Sequence, residues 1–215
     1  ARGLEIARRA GPAGMVARYA GLLGLASQRA GNLGEAETRY REAAESARRS
    51  GDVHAFAVCN LNLGSVQMEQ GKWSLALEKY HEAARALESI GGWRELAGVL
   101  LNWANLRIRM GDDEGALALV QRCTAVSRHF DLRGYPPLLG MLEGDIAMMR
   151  GRYGDAVRAY EGSQAKFAGE KNETYRVLAA LLGAEAMVFA GRLEESGRIL
   201  AGFERHPALA GTPWL

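Results

Sequence analysis

Residues 61–83 read LNLGSVQMEQGKWSLALEKYHEA. Apolar residues recur at helical spacing before and after Gly71, which predicts two helices joined by a short turn. A glycine at this point suits the left-handed backbone conformation in which many helices end. Because the connection is short, the two helices are expected to run antiparallel. The stretch therefore predicts one antiparallel helix pair.

The same pattern returns every forty residues along the chain, without an insertion. Its register is marked by Gly31, Gly71, Gly111, Gly151 and Gly191. A small residue usually follows five positions later and a ring or aliphatic residue nine positions later, as at Ala76 and Tyr80. Each helix pair buries only one face and needs a neighbour, so the repeats predict an all-α solenoid of antiparallel helix pairs.

The repeat has a recognisable motif, made of Leu63, Gly64, Gly71, Trp73, Ala76, Tyr80 and Ala83. This motif resembles the tetratricopeptide repeat (TPR). Its forty-residue spacing is similar to that of kinesin light chains and of bacterial transcription regulators of the MalT and large LuxR-type class. The resemblance implies a right-handed superhelical solenoid of about five TPR-like pairs with a partial N-terminal helix. The motif is specific for a fold and does not specify a function.

The register also divides the chain into segments. We expect the end of a preceding repeat helix at 1–10, five helix pairs within 11–207 (about 12–51, 52–91, 92–131, 136–170 and 171–207), and a C-terminal tail at 208–215. The first residue is Ala1 and the helical pattern begins at once, which is typical of a piece of a longer protein. The tail contains Trp214 and is expected either to cap the last helix or to lead into another domain.

Charge and cysteine content exclude several classes of partner. The 215 residues include 27 Lys and Arg against 25 Asp and Glu, and the arginines alternate with glutamates. This balance predicts no nucleic-acid or membrane partner for this segment. No apolar run approaches the roughly 18 residues that a membrane-spanning helix needs. Cys59 and Cys123 lie outside any CxxC spacing, which favours a reduced, cytoplasmic setting.

The sequence lacks the common catalytic motifs. A phosphate-binding loop needs four residues between its glycines, whereas six separate Gly64 from Gly71, and Lys72 is followed by Trp73. No GxSxG or GxGxxG motif occurs, and the histidines lack the spacing of a helical metal pair. We therefore expect no enzymatic activity, no metal and no cofactor.

The resemblance also implies where a partner would bind, because the first helix of each TPR pair lines a concave groove. The predicted partner-binding residues are Asn62, Ser65, Met68, Glu69, Leu101, Asn102, Asn105, Arg109, Met141, Asp145, Met148, Met149 and Glu185. Four of them are successively forty residues apart and are expected to form a row of polar side chains along the groove, here called the polar ladder: Ser65, Asn105, Asp145 and Glu185. Asparagine amides both donate to and accept from a main chain, and thioethers suit adaptable apolar contacts. Alternatively, the methionines pack between helices and the ladder is merely solvated.

Three functions are left open by these observations. The leading hypothesis is a non-catalytic module that binds a peptide or protein segment in the groove, within a larger bacterial regulatory or signalling protein. The second is an effector-sensing domain that binds a small molecule, and the third is a self-associating scaffold. Other domains of the same parent protein are further candidate partners. A chaperone-type carboxylate clamp is disfavoured because its basic positions hold Gly21, Gly98 and Asn102.

Overall fold

The computed structural model describes residues 2–203, which form eleven helices and no strand. The helices are α1 (Arg2–Ala10), α2 (Ala13–Arg29), α3 (Leu33–Ser50), α4 (Val53–Glu69), α5 (Trp73–Ile90), α6 (Trp93–Arg109), α7 (Asp113–His129), α8 (Tyr135–Met149), α9 (Tyr153–Gly169), α10 (Glu173–Phe189) and α11 (Leu193–Phe203). The predicted all-α fold is confirmed. The tail expected at 208–215, with Trp214, lies outside the described residues.

The helices belong to two compact units. In unit 1 (Ala1–Leu106), α1 packs on α2, α2 on α3, α3 on α4 and α4 on α5. In unit 2 (Arg107–Leu215), α7 packs on α8, α8 on α9, α9 on α10 and α10 on α11. Within α1–α5 and within α7–α11, each helix thus buries a face against the next one in the sequence, as expected for a stack of helix pairs.

The turns within the helix pairs depend on left-handed glycines. The glycines of the forty-residue register have φ between +67° and +78°: Gly31, Gly71, Gly111, Gly151 and Gly191. A second series follows the second helices α3, α5, α7 and α9. It consists of Gly51 (φ +71°), Gly91 (φ +69°), Asp131 (φ +47°) and Lys171 (φ +55°). The second series was not recognised in the sequence, because its last two members are not glycine.

A glycine and a tyrosine sixteen residues apart bring the two helices of a pair into close contact. A Cβ atom on Gly64 would lie 2.8 Å from Cε1 of Tyr80, a fully buried ring. The corresponding distances to the tyrosine ring are 2.8 Å at Gly24, facing Tyr40, and 2.5 Å at Gly144, facing Tyr160. In each pair the ring therefore occupies the space that a side chain on the glycine would need.

Candidate functional site

In unit 1, the hydroxyl group of Tyr80 belongs to a hydrogen-bond network with two predicted partner-binding residues, Ser65 and Asn102. The Tyr80 hydroxyl donates to Oγ of Ser65 at 3.3 Å, and Nδ2 of Asn102 donates to the same oxygen at 3.3 Å. The Ser65 hydroxyl in turn donates to the carbonyl oxygen of Leu61 at 3.0 Å. Three helices, α4, α5 and α6, thereby meet at one serine. The structure brings together Ser65 and Asn102, which the sequence assigned to the same site.

A similar network lies at the C-terminal end of α2. The Tyr40 hydroxyl donates to Oε1 of Gln28 at 3.2 Å, and Nε2 of Gln28 donates to Oε1 of Glu69 at 2.7 Å. Burial raises the pKa of Tyr40 to about 12, so its hydroxyl keeps its proton at neutral pH and acts as a donor. Gln28 thus links the buried ring to Glu69, which is exposed to solvent.

In unit 2 the corresponding network is anionic. The Tyr160 hydroxyl donates to Oδ1 of Asp145 at 2.6 Å. Burial raises the pKa of Asp145 above its ordinary value; the hydrogen bond from Tyr160 opposes this shift, the nearby charge of Glu185 adds to it, and Arg109 opposes it. Burial is also the main cause of the raised pKa of Tyr160. The predicted residues Arg109 and Glu185 therefore lie close enough to Asp145 for their charges to shift its pKa.

The predicted methionines occupy different environments. Met141 is only 8% exposed and belongs to a core cluster with Tyr160, Phe167 and Met187. Met148 is half-buried and packs against the same cluster. The structure thus places Met141 in the core, because its side of α8 faces neighbouring helices. Met149, by contrast, is 38% exposed.

The other predicted residues lie on first helices at varied depths. Asn62, Met68, Leu101 and Asn105 are half-buried, on α4 and α6. In unit 2, Glu185 is exposed on α10. Polar and apolar side chains are therefore partly accessible on the first helices of unit 1, and carboxylates on those of unit 2.

Two surface clefts were not anticipated from the sequence. One, of about 420 Å³, is lined by α3, α4 and α5 in unit 1. The other, of about 520 Å³, lies in unit 2 near the turn between α7 and α8, beside Leu132, Pro137, Arg128 and Lys166. The only available signal for the first cleft was a pair of amide residues seven positions apart, Asn60 and Gln67, on an otherwise apolar side of α4.

Residues 2–203 lack two kinds of feature, a membrane-spanning helix and a metal-binding cluster of side chains. No helix in this range is long and apolar enough to cross a membrane. The same range contains no group of three or more His, Cys, Asp or Glu side chains placed to hold a metal ion. Cys59 and Cys123 are buried thiols, and burial raises the pKa of each to about 11.

No family model and no curated protein sequence matches the chain. Solved structures similar to it include a Signal Transduction ATPase with Numerous Domains (STAND) protein with a tetratricopeptide repeat sensor from Pyrococcus horikoshii, with a TM-score of 0.78 and 16% identity over 97% of this chain and 32% of that one. Rap protein complexed with Competence and Sporulation Factor has a TM-score of 0.80 and 16% identity over 92% of this chain and 55% of that one. Kinesin light chain TPR-like repeats from Podosopora anserina have a TM-score of 0.66 and 15% identity over 86% of this chain and 91% of that one.

These similarities define the class of fold. The chain is a TPR-like helical repeat array, and the predicted resemblance to kinesin light chain repeats is confirmed. It spans about a third of the length of the STAND protein and about half of that of Rap. At such low identity the likeness concerns the fold, so a function has to be argued from the side chains.

Proposed function

We propose that the chain is a non-catalytic interaction module that binds a peptide or protein segment on the first helices of its pairs, as part of a larger bacterial regulatory or signalling protein. The observation that carries the proposal is the junction at Ser65, where Tyr80 and Asn102 fix one polar group from two neighbouring helices. Side chains held in this way lose little conformational entropy when a ligand arrives.

The composition of the accessible face in unit 1 suits a main-chain ligand. Asn62, Asn102 and Asn105 are half-buried, so part of each residue is accessible to solvent. An amide offers both a donor and an acceptor, as does each peptide unit of a ligand. Met68 lies half-buried on the same helix as Asn62 and supplies an adaptable apolar contact.

Unit 2 suits a different part of a ligand. Asp145 and Glu185 place two carboxylates near each other, and burial makes the negative charge of Asp145 costly, although the nearby charge of Arg109 opposes this effect. A lysine or arginine of the bound segment would lower that cost. We therefore expect basic side chains in segments that bind to unit 2.

The similar structures are compatible with this proposal. One is Rap in complex with Competence and Sporulation Factor, and another is a STAND protein whose repeats are described as a sensor. A sensor for a small effector is the second candidate for this chain. The cleft of about 520 Å³ in unit 2 favours it, because this volume lies within the range of small-molecule pockets.

Selection from a random peptide library displayed on phage tests the leading proposal. Peptides selected by the wild-type chain would be measured against Asn102→Ala and Asp145→Asn, with Gln121→Ala as the control. Gln121 is an exposed amide residue on the second helix α7, away from the first helices. We expect about tenfold or greater weakening in at least one of the first two variants and none in the control. Equal affinity in all three variants would contradict the proposal.

A further inference from the structure

The unit 1 cleft lies on a different side of α4 from the proposed peptide-binding residues. It has a volume of about 420 Å³, and α4 contributes Asn60, Leu63 and Gln67 to it. At 3.6 residues per helical turn, these positions point roughly opposite to Ser65 and Glu69. A ligand in this cleft would therefore not compete directly with one bound at Ser65.

Two buried polar atoms in this cleft have no hydrogen-bond partner. Asn60 and Gln67 are each only 2% exposed, yet Nδ2 of Asn60 and Oε1 of Gln67 are unpartnered. An unsatisfied buried polar group is costly, and native proteins contain few of them. Both residues line the same cleft, so a ligand there could satisfy both atoms.

The orientation of the Gln67 amide is fixed by a buried carboxylate. Nε2 of Gln67 lies 3.5 Å from Oε1 of Glu37, which is itself bound by Lys72 and Arg41 at 2.7 Å each. An ionised carboxylate only accepts hydrogen bonds, so a flipped amide would set two acceptors against each other. Oε1 of Gln67 therefore stays directed away from Glu37 and requires a donor from elsewhere.

The spacing of the two residues along α4 matches an extended polypeptide. Asn60 and Gln67 are seven residues apart on α4, which corresponds to about 10.5 Å along the helix axis. An extended chain advances about 3.3 Å per residue, so peptide groups three residues apart span a similar length. A main chain offers a carbonyl oxygen to Nδ2 of Asn60 and an N–H group to Oε1 of Gln67.

The remaining walls of the cleft select for an uncharged segment. Phe56, Leu63 and Leu75 contribute apolar surface, and Leu75 is 44% exposed. Cations and carboxylates on the walls are already paired with each other, Arg48 with Glu45 at 2.9 Å and Lys79 with Glu82 at 3.1 Å. The walls thus offer apolar contacts and little net charge.

We propose that this cleft is a second binding site, which takes an extended, apolar segment of a partner polypeptide. Nδ2 of Asn60 would donate to a main-chain carbonyl oxygen of the segment, and Oε1 of Gln67 would accept from one of its main-chain N–H groups. The site is independent of the proposed function at Ser65. Binding there would leave the side-chain amide of Asn102, on α6, unaffected.

A blocked tripeptide serves as the probe. N-acetyl-Leu-Ala-Leu N-methylamide carries aliphatic side chains and four peptide groups, of which the first and last are three residues apart. Its titration would be followed by the side-chain amide NMR signals of the folded chain. We expect saturable shifts for Asn60 and Gln67 and no shift for Asn102. Absence of a saturable shift at Asn60 and Gln67 would overturn the proposal.

Two variants provide an independent readout that needs no ligand. Asn60→Leu and Gln67→Met replace each amide by an apolar side chain of similar shape. If the free protein carries unpartnered atoms, we expect Asn60→Leu to melt about 2–4 °C higher than the wild type. Gln67→Met also loses the hydrogen bond to Glu37 and should gain less. Each variant should lose the saturable shift at the remaining amide. A lower melting temperature of folded Asn60→Leu would show that bound water already satisfies its amide, and would overturn the proposal.

Discussion

The contact between Gly64 and Tyr80 allows a quantitative test of how the repeat is packed. In Gly64→Ala the new Cβ would lie 2.8 Å from Cε1 and 3.0 Å from Cδ1 of Tyr80, and 3.3 Å from the carbonyl oxygen of Ala76. Favourable carbon–carbon contacts lie at about 3.5–4.0 Å. The ring is fully buried and its hydroxyl is bound to Ser65, so it has little room to move.

The expected magnitude follows from two opposing effects. Overpacking a core contact costs about 1–3 kcal/mol, whereas replacing a helical glycine by alanine gains up to about 1 kcal/mol. We therefore expect Gly64→Ala to lower the free energy of unfolding by about 1–2 kcal/mol. Gly162→Ala is the matched control, because a Cβ added at this exposed helical glycine would have no heavy atom within 4 Å apart from its chain neighbours and the adjacent backbone of its own helix. It should raise the free energy of unfolding by about 0.5–1 kcal/mol.

Urea unfolding of a double-mutant cycle provides the measurement. Tyr80→Val alone removes a buried ring and should cost about 2–5 kcal/mol. Added to Gly64→Ala, it also removes the clash, so the double variant should be more stable than the sum of the single effects by about 0.5–3 kcal/mol. The third copy already combines Ala104 with Val120 at these positions. Strict additivity in the cycle, or a stabilising Gly64→Ala, would refute the packing argument.

Three further predictions concern strain and charge. Lys171 has φ +55°, a backbone conformation that favours glycine. Lys171→Gly should therefore raise the free energy of unfolding by about 0.5–1 kcal/mol, measured as a higher urea midpoint. An unchanged midpoint would contradict this prediction. Hydrogen bonding from Lys72 is the main cause of the lowered pKa of Glu37. Ionised Glu37 therefore stabilises the fold above about pH 4.3, and this stabilisation is lost as the pH falls through the lowered pKa. Glu37→Gln should therefore lose less stability at acid pH than the wild type does. A dependence of the free energy of unfolding on pH that is the same as in the wild type would contradict this prediction. Burial raises the pKa of Asp145, so its contribution to stability declines as the pH rises, and Asp145→Asn should melt higher at neutral pH; a lower melting temperature would contradict the argument.

The sequence revealed the fold because its strongest signals are local. Glycines at the turn after each first helix recur every forty residues, and they have the expected left-handed φ. The second series was missed because Asp131 and Lys171 occupy positions that favour glycine. Their backbone conformation is imposed by the packing of the helices on either side, which residue identity alone does not report.

The candidate site was less accessible to sequence reasoning. Spacing along a helix indicates which side chains share a face, and it brought Ser65 and Asn102 into the same predicted site. It does not indicate how deeply a face is buried, so Met141 was assigned to a surface although its side chain lies in the core. The role of Asn60 and Gln67 was not predicted for the same reason. Only the packed structure shows that both residues are buried and that each amide has an unpartnered atom.

Site-specific photo-crosslinking in the parent cell tests the central proposal most directly. A photoreactive amino acid would replace the exposed Glu69 or Glu185 on first helices, or the exposed Gln121 on a second helix as the control. The proposed function predicts adducts with a defined polypeptide segment from at least one first-helix position and none from Gln121. Adducts from Gln121 alone, or from none of the three positions, would contradict it.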